Sequence, residues 1–143
     1  MFRTAESFGA EKIYLSPFCA DPGHRRAQRT AMGCTEIMPW ARIMNDPFAG
    51  ADFNPANTPF FALETGGTKL EDFSFPDRGV MIVGSEELGV SPGALRAADA
   101  SLGRVSIPVY GAKGSLNVSV AFGIAMHAWA VSLEKIAKLG KIC

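Results

Sequence analysis

Short apolar runs of strand length alternate along this chain with segments that carry helix-capping signals, and that alternation most limits what it can fold into. Lys12–Leu15, Phe60–Leu63, Val80–Val83 and Val105–Val109 each read as a strand. Between them, Asp21-Pro22 reads as an N-cap followed by proline at the first helical position, with Gly33 closing that helix. Ser91-Pro92 opens another helix, through about Ala98, and Thr4 to Gly9 reads as a helix end with Gly9 as its C-cap. Ser115 is expected to cap a long final helix over roughly 116–139. Strands separated by helices predict an α/β fold with a mostly parallel sheet flanked by helices. Residues 44–59, rich in Asn, Asp, Pro and Gly, read as a loop. No internal repeat appears, and 143 residues at 48% hydrophobic suffice for a single domain over 1–143.

Formal net charge is zero, which excludes a uniformly basic nucleic-acid coat but not a local basic patch. The charge is uneven. Residues 1–33 hold five Lys/Arg and three Asp/Glu, residues 34–100 hold four and ten, and residues 101–143 hold five and one. Two basic ends therefore flank an acidic middle. His24, Arg25, Arg26 and Arg29 fall on one predicted helix, with Arg25 and Arg29 four apart on a shared face. They are the candidate contact for phosphate groups, against a plain solvated face.

Cys19, Cys34 and Cys143 form no CxxC pair and no metal-ligand cluster, so no metal is expected. An odd, scattered set suggests reduced thiols and a cytoplasmic setting. Met1 leads into Phe2-Arg3-Thr4-Ala5-Glu6 with no apolar signal region. Leu116–Leu133 is apolar, but Asn117, Ser119, His127 and Ser132 interrupt it, so it reads as a core helix and not as a membrane span. His127 is expected to be a satisfied core histidine. Phe122, Met126 and Trp129, at i, i+4 and i+7, belong either to that core or to a contact with a second protomer.

Three glycine-bearing segments follow the predicted strands: Thr65-Gly66-Gly67, Gly84 to Gly89, and Tyr110 to Ser115. In open parallel sheets ligands bind beyond the carboxyl ends of the strands. Gly84 to Gly89 is not GxGxxG, and Glu86 and Glu87 would repel a pyrophosphate. No Walker sequence is present, and two histidines give a Ser-His-Asp hydrolase little support. An acidic loop suits a cationic cofactor, and S-adenosylmethionine carries a sulfonium.

Ile82-Val83-Gly84-Ser85-Glu86-Glu87-Leu88-Gly89-Val90-Ser91 resembles the second motif of the SpoU/TrmH branch of SPOUT RNA methyltransferases. Ile107-Pro108-Val109-Tyr110-Gly111 and Ser115-Leu116-Asn117-Val118-Ser119-Val120-Ala121 resemble the third, and Arg3 to Ala10 resembles the end of the first. Ala62-Leu63-Glu64 is similar to the strand before motif two. The resemblance implies a C-terminal trefoil knot, an exception to the rule that chains do not thread loops. It also implies an enzyme that transfers a methyl group from S-adenosylmethionine to a ribose 2′-hydroxyl of tRNA or rRNA, working as a homodimer.

By the same resemblance, Leu63, Gly84, Ile107 and Leu116 contact the cofactor. Arg3, Glu86, Ser115 and Asn117 are the expected catalytic residues; with an RNA substrate implied, the basic helix bearing Arg25, Arg26 and Arg29 becomes, from its own charge pattern, the candidate contact for RNA phosphates. Arg3 would hold a phosphate beside the hydroxyl, since a guanidinium does not give up its proton. Glu86 would orient Arg3 or another basic group, and Asn117 and Ser115 would orient the ribose or the motif-one loop. Alternatively, Asn117 only stabilises the first turn of its helix. The family's first strand and the Asn six residues before the motif-one arginine have no counterpart here. This leaves an S-adenosylmethionine- or RNA-binding module with impaired catalysis as the second reading, and a nicotinamide-dependent oxidoreductase as a distant third.

Overall fold

The computed structural model describes residues 1–43 and 58–139, so most of the stretch read as a loop over 44–59 lies outside the described residues, as does Cys143. The chain divides into two compact units, Met1–Pro55 and Ala56–Cys143.

In the first unit, α1 (Phe2–Ser7) is followed by β1 (Ile13–Leu15), α2 (Arg25–Ala31), α3 (Cys34–Ile37) and β2 (Trp40–Arg42). Gly9 follows α1 at φ +71°, the left-handed backbone expected just past a helix end. β1 and β2 pair in parallel, Ile13 opposite Trp40. Ala5, Ala31, Cys34 and Met38 are buried. Asp21-Pro22 is not the N-cap of α2. Asp21 Oδ1 accepts from the Gly23 N–H at 2.8 Å, which spends that side chain on a turn. His24 caps instead, its Nδ1 accepting from the Arg26 N–H. Met32, at φ 50°, ends α2, and Gly33 begins α3.

The second unit is built on a three-stranded parallel sheet in the order β4-β3-β5, comprising β3 (Phe60–Lys69), β4 (Val80–Val83) and β5 (Arg104–Ser106). α4 (Pro92–Asp99) links β4 to β5, and Ser91 Oγ caps it by accepting from the Ala94 N–H. The final helix is α5 (Val118–Leu139).

β3 runs well past the expected Leu63. Phe60, Phe61 and Ala62 are buried, and the register against β5 then shifts between Leu63 and Thr68. Thr65-Gly66-Gly67 is therefore a bulge inside a strand and not a loop after one. Glycine is required there for two reasons. Gly66 sits at φ +76°, and a Cβ on Gly67 would lie 2.5 Å from the Arg104 carbonyl oxygen. β5 is shorter than Val105–Val109, and its tail Ile107–Tyr110 leaves the sheet.

The core of this unit is aromatic. Phe61, fully buried, packs against Phe73, Phe75 and Trp129 with ring centroids 5.1, 5.7 and 5.1 Å apart. Trp129 Nε1–H donates to the Pro76 carbonyl at 2.7 Å, which satisfies the indole in a part-buried place. Phe122 and Met126 are also buried, so this side of α5 faces its own sheet. Leu116, Val120 and Ile124 carry exposed apolar surface. His127 is exposed, contrary to the core histidine expected, because it falls off the buried stripe of α5. Among the described residues, no helix is long and apolar enough to cross a membrane.

Phe61→Ala should cost about 3–5 kcal/mol, the range for removing a buried aromatic ring. Urea denaturation of the variant against wild type measures it, and a loss below about 1 kcal/mol would show that this cluster is not the core.

Candidate functional site

The second unit encloses a cavity of about 360 Å3, within the range of small-molecule sites. It lies at the bulge of β3 and just past the ends of β4 and β5. Leu63, Val83, Ile107, Val109, Leu116, Val118 and Ala121 supply apolar wall, and Glu64, Glu86 and Glu87 supply carboxylates. Leu63, Gly84, Glu86, Ile107, Ser115 and Leu116, all expected from sequence, are thus brought together around one space.

The loop after β4 is closed on itself. Ser85 and Gly89 exchange two backbone hydrogen bonds of 3.0 Å, and Ser85 Oγ accepts from the Leu88 N–H. Gly84 makes this closure possible, because a Cβ there would lie 2.1 Å from the Gly89 carbonyl carbon and 2.3 Å from the Val90 nitrogen. The loop holds Glu86 and Glu87 between its two closing residues.

Glu86 reaches the start of α5. Its Oε2 accepts from the Val118 N–H at 3.0 Å, and its carboxylate accepts from Asn117 Nδ2 at 3.3–3.4 Å. An anion at a helix N-terminus satisfies an orphan donor and opposes the helix dipole favourably. Asn117 Oδ1 meanwhile accepts from the Ser119 and Val120 N–H groups. Asn117 is therefore the cap of α5, where Ser115 was expected, and the helix starts two residues later than Leu116. Ser115 still lines the cavity.

Glu64 is a site residue that the sequence argument used only as part of a strand match. The bulge turns its carboxylate toward the loop after β4. Oε2 accepts from the Val90 N–H at 3.0 Å, and Oε1 accepts from the Thr65 N–H and Oγ1 at 2.9 and 3.2 Å. Partial burial pushes this carboxyl upward. The hydrogen bonds from Val90 and Thr65, aided by the Arg104 charge, outweigh it and hold Glu64 below the usual carboxylate range. A carboxylate at the edge of a ligand cavity beside a parallel strand is the signal that would have found it. Arg104 itself is held by Asp99 through two hydrogen bonds of 2.8 and 2.6 Å.

The remaining expected residues lie in the first unit. Arg3 is on α1, exposed, with Nη1 donating to Met32 Sδ at 3.0 Å. Arg25, Arg26 and Arg29 are exposed on α2 and, with His24, line a shallow cavity of about 360 Å3. Among the described residues no group of three or more His, Cys, Asp and Glu is arranged to hold a metal. Cys19 is exposed and Cys34 buried, both as free thiols.

The model of the SpoU rRNA Methylase family matches residues 1–127. The chain belongs to that family. An uncharacterized tRNA/rRNA methyltransferase of Mycobacterium tuberculosis is 30% identical to this SpoU-family chain over 132 residues, which cover 89% of the chain and 45% of the relative. The chain thus spans about half the length of the curated relatives it matches. An AdoMet-bound rRNA methyltransferase from Sinorhizobium meliloti superimposes with a TM-score of 0.80 at 25% identity, covering 92% of this chain and 50% of that one. A structure from Porphyromonas gingivalis, described as a putative RNA methyltransferase of the TrmH family, gives 0.75 at 26% identity, covering 90% and 51%.

Two outcomes test this geometry. Asn117→Ala removes the α5 cap and should cost about 1 kcal/mol, read by thermal melting; no loss would show that the cap is idle. Glu64 has a lowered carboxyl pKa, so its contribution to stability is present above about pH 4.5 and lost as the pH falls through its lowered value. The stability advantage of wild type over Glu64→Gln should accordingly shrink on acidification, measured by urea denaturation from about pH 7 to pH 3. An advantage that grows instead would contradict the assignment.

Proposed function

We propose that this chain carries the cofactor-binding and catalytic part of an RNA methyltransferase that transfers a methyl group from S-adenosylmethionine to a ribose 2′-hydroxyl of tRNA or rRNA. The observation that carries the reading is the cavity of the second unit, in which apolar walls meet Glu64, Glu86 and Glu87. Apolar walls suit a nucleoside, and a carboxylate-lined space suits a ligand that bears positive charge. Membership of the SpoU family and the fold shared with an AdoMet-bound rRNA methyltransferase support it.

The residues fit that cofactor. Leu63, Gly84, Ile107 and Leu116 would hold it, largely through main-chain groups, since Gly84 offers no side chain and its loop is fixed by backbone hydrogen bonds. When bound, the cofactor supplies an electrophilic methyl group on sulfur. The chain's part is then to position and to stabilise charge. In-line displacement needs the hydroxyl oxygen opposite the sulfur, and such alignment contributes several kcal/mol. Glu86 and Asn117, bonded to each other and to the start of α5, fix the wall of the cavity. Ser115 would orient the ribose. Arg3 keeps its proton and would bind the phosphate next to the hydroxyl in a bidentate contact, easing release of the hydroxyl proton to solvent water as the oxygen attacks. Arg25, Arg26 and Arg29 would bind RNA phosphates.

The reading extends to topology, assembly and place. The segment from β4 to α5 would thread the trefoil knot implied by the family motifs, within a single methyltransferase domain that takes in both units. Two copies would pair through the exposed apolar face of Leu116, Val120 and Ile124 on α5. With tRNA or rRNA as its substrate, the protein would work in the cytoplasm.

Incubation with methyl-labelled cofactor and bulk tRNA or rRNA, followed by digestion to nucleosides, should yield 2′-O-methylated nucleosides. Label confined to bases, or calorimetry showing no cofactor binding, would sink the proposal. Arg3→Ala should lower the rate at least tenfold and leave cofactor affinity unchanged. Arg3→Lys should rescue little, because the fork of donors is lost.

A further inference from the structure

We propose that the loop around Phe18 and helix α2 together form a docking site for an unpaired RNA nucleotide, with the Phe18 ring stacked on the base and the α2 arginines on the flanking phosphates. The inference rests on the RNA-methyltransferase reading above and adds to it a mode of recognition.

Phe18 is 98% exposed. A single exposed apolar residue needs no explanation by itself, but this one sits on a loop that the fold holds in place. Nη1 of Arg42, on β2, lies 3.1, 3.2 and 2.9 Å from the carbonyl oxygens of Ser16, Pro17 and Cys19 and shares its N–H groups among them. Those three residues flank Phe18 on both sides. Ser16 Oγ and Cys19 Sγ lie 3.2 Å apart, which closes the same turn. The ring is thus presented on a pre-ordered support, and a partner that stacks on it need not bear the cost of ordering the loop.

Six residues separate Phe18 from Arg25. The Asp21 turn and the His24 cap lead the chain directly into α2. His24, Arg25, Arg26 and Arg29 alone line the shallow cavity there, and all four are exposed. No carboxylate among the described residues pairs with these arginines. An arginine cluster with no ion pair among the described residues, separated by six residues of chain from an exposed aromatic ring on a fixed loop, matches a polyanion with accessible π faces. In a duplex the base faces are covered by the stack, so the ring finds a partner only where a nucleotide is unpaired. An acidic protein surface would engage the arginines but leave Phe18 without a role.

The test compares binding of the full chain to a labelled single-stranded RNA oligomer and to a blunt duplex of equal length, over a series of salt concentrations. Phe18→Ala should weaken single-strand binding by about fivefold to a hundredfold, the effect of losing one base–aromatic stack. Duplex binding and the salt slope should stay as in wild type. Phe18→Trp should keep single-strand affinity, and its added indole emission should be quenched by that oligomer. Arg25→Ala with Arg29→Ala should flatten the salt slope on both RNAs. Equal weakening on both RNAs by Phe18→Ala, no weakening at all, or binding of polyglutamate as tight as that of the oligomer would overturn the site. If Phe18→Ala binds single strands normally while the chain still methylates RNA, this inference fails and the proposed function stands. If wild type binds neither RNA, both fail.

Discussion

The carboxylate of Glu86 on the first turn of α5 is the contact on which the candidate site depends. It joins two segments that the chain visits 31 and 32 residues apart. One is the closed loop after β4, and the other is the approach to the final helix. Without it, the Val118 N–H at a helix start would lose its acceptor and the two walls of the cavity would have no polar connection on this side. The bond has to be made by an anion in a short loop, which is why the Gly84–Gly89 closure matters. The near contact of Gly84 with Gly89 and Val90 aims the carboxylate, and the helix dipole then rewards it.

Glu64 makes the matching connection from the sheet. Its bond to the Val90 N–H ties β3 to the far end of the same loop, so the loop is held at both ends by carboxylates. Two of the three acidic groups of the cavity are therefore occupied in holding structure, and their negative charge still faces the space they enclose. Glu87 has no such hydrogen bond among the described residues, which leaves its charge available to a ligand. A carboxylate engaged in structure and one with no such bond among the described residues thus stand side by side in one loop.

Much of this was legible in the residues because the signals are local. β4 matches Val80–Val83, and the Ser91-Pro92 start of α4 is observed with its cap bond made. The misreadings share one cause, dependence on distant partners. Thr65-Gly66-Gly67 has the composition of a turn, and only the Arg104 backbone on β5 turns it into a bulge. Ser115 and Asn117 are both good capping residues, and Glu86 decides between them by engaging the amide of one. Asp21 is a competent N-cap drawn off by a tighter turn with Gly23. Glu64 escaped notice because a carboxylate after a strand looks like a solvated end until the bulge redirects it. Arg3 and the α2 arginines lie in the other compact unit; the role proposed for Arg3 rests on the family motifs, and that for the arginines on their clustering along one helix.

The continuity of β3 has a dynamic consequence. A single strand carries Phe61 at the centre of the aromatic cluster and, three residues on, Glu64 at the cavity wall. Local opening of that wall would have to drag on the hydrophobic centre, so the pocket should breathe only when the surrounding body does. Isotope exchange at the amide of Val90 would then be nearly as slow as in the core, an unusual degree of protection for a turn at the rim of a cavity.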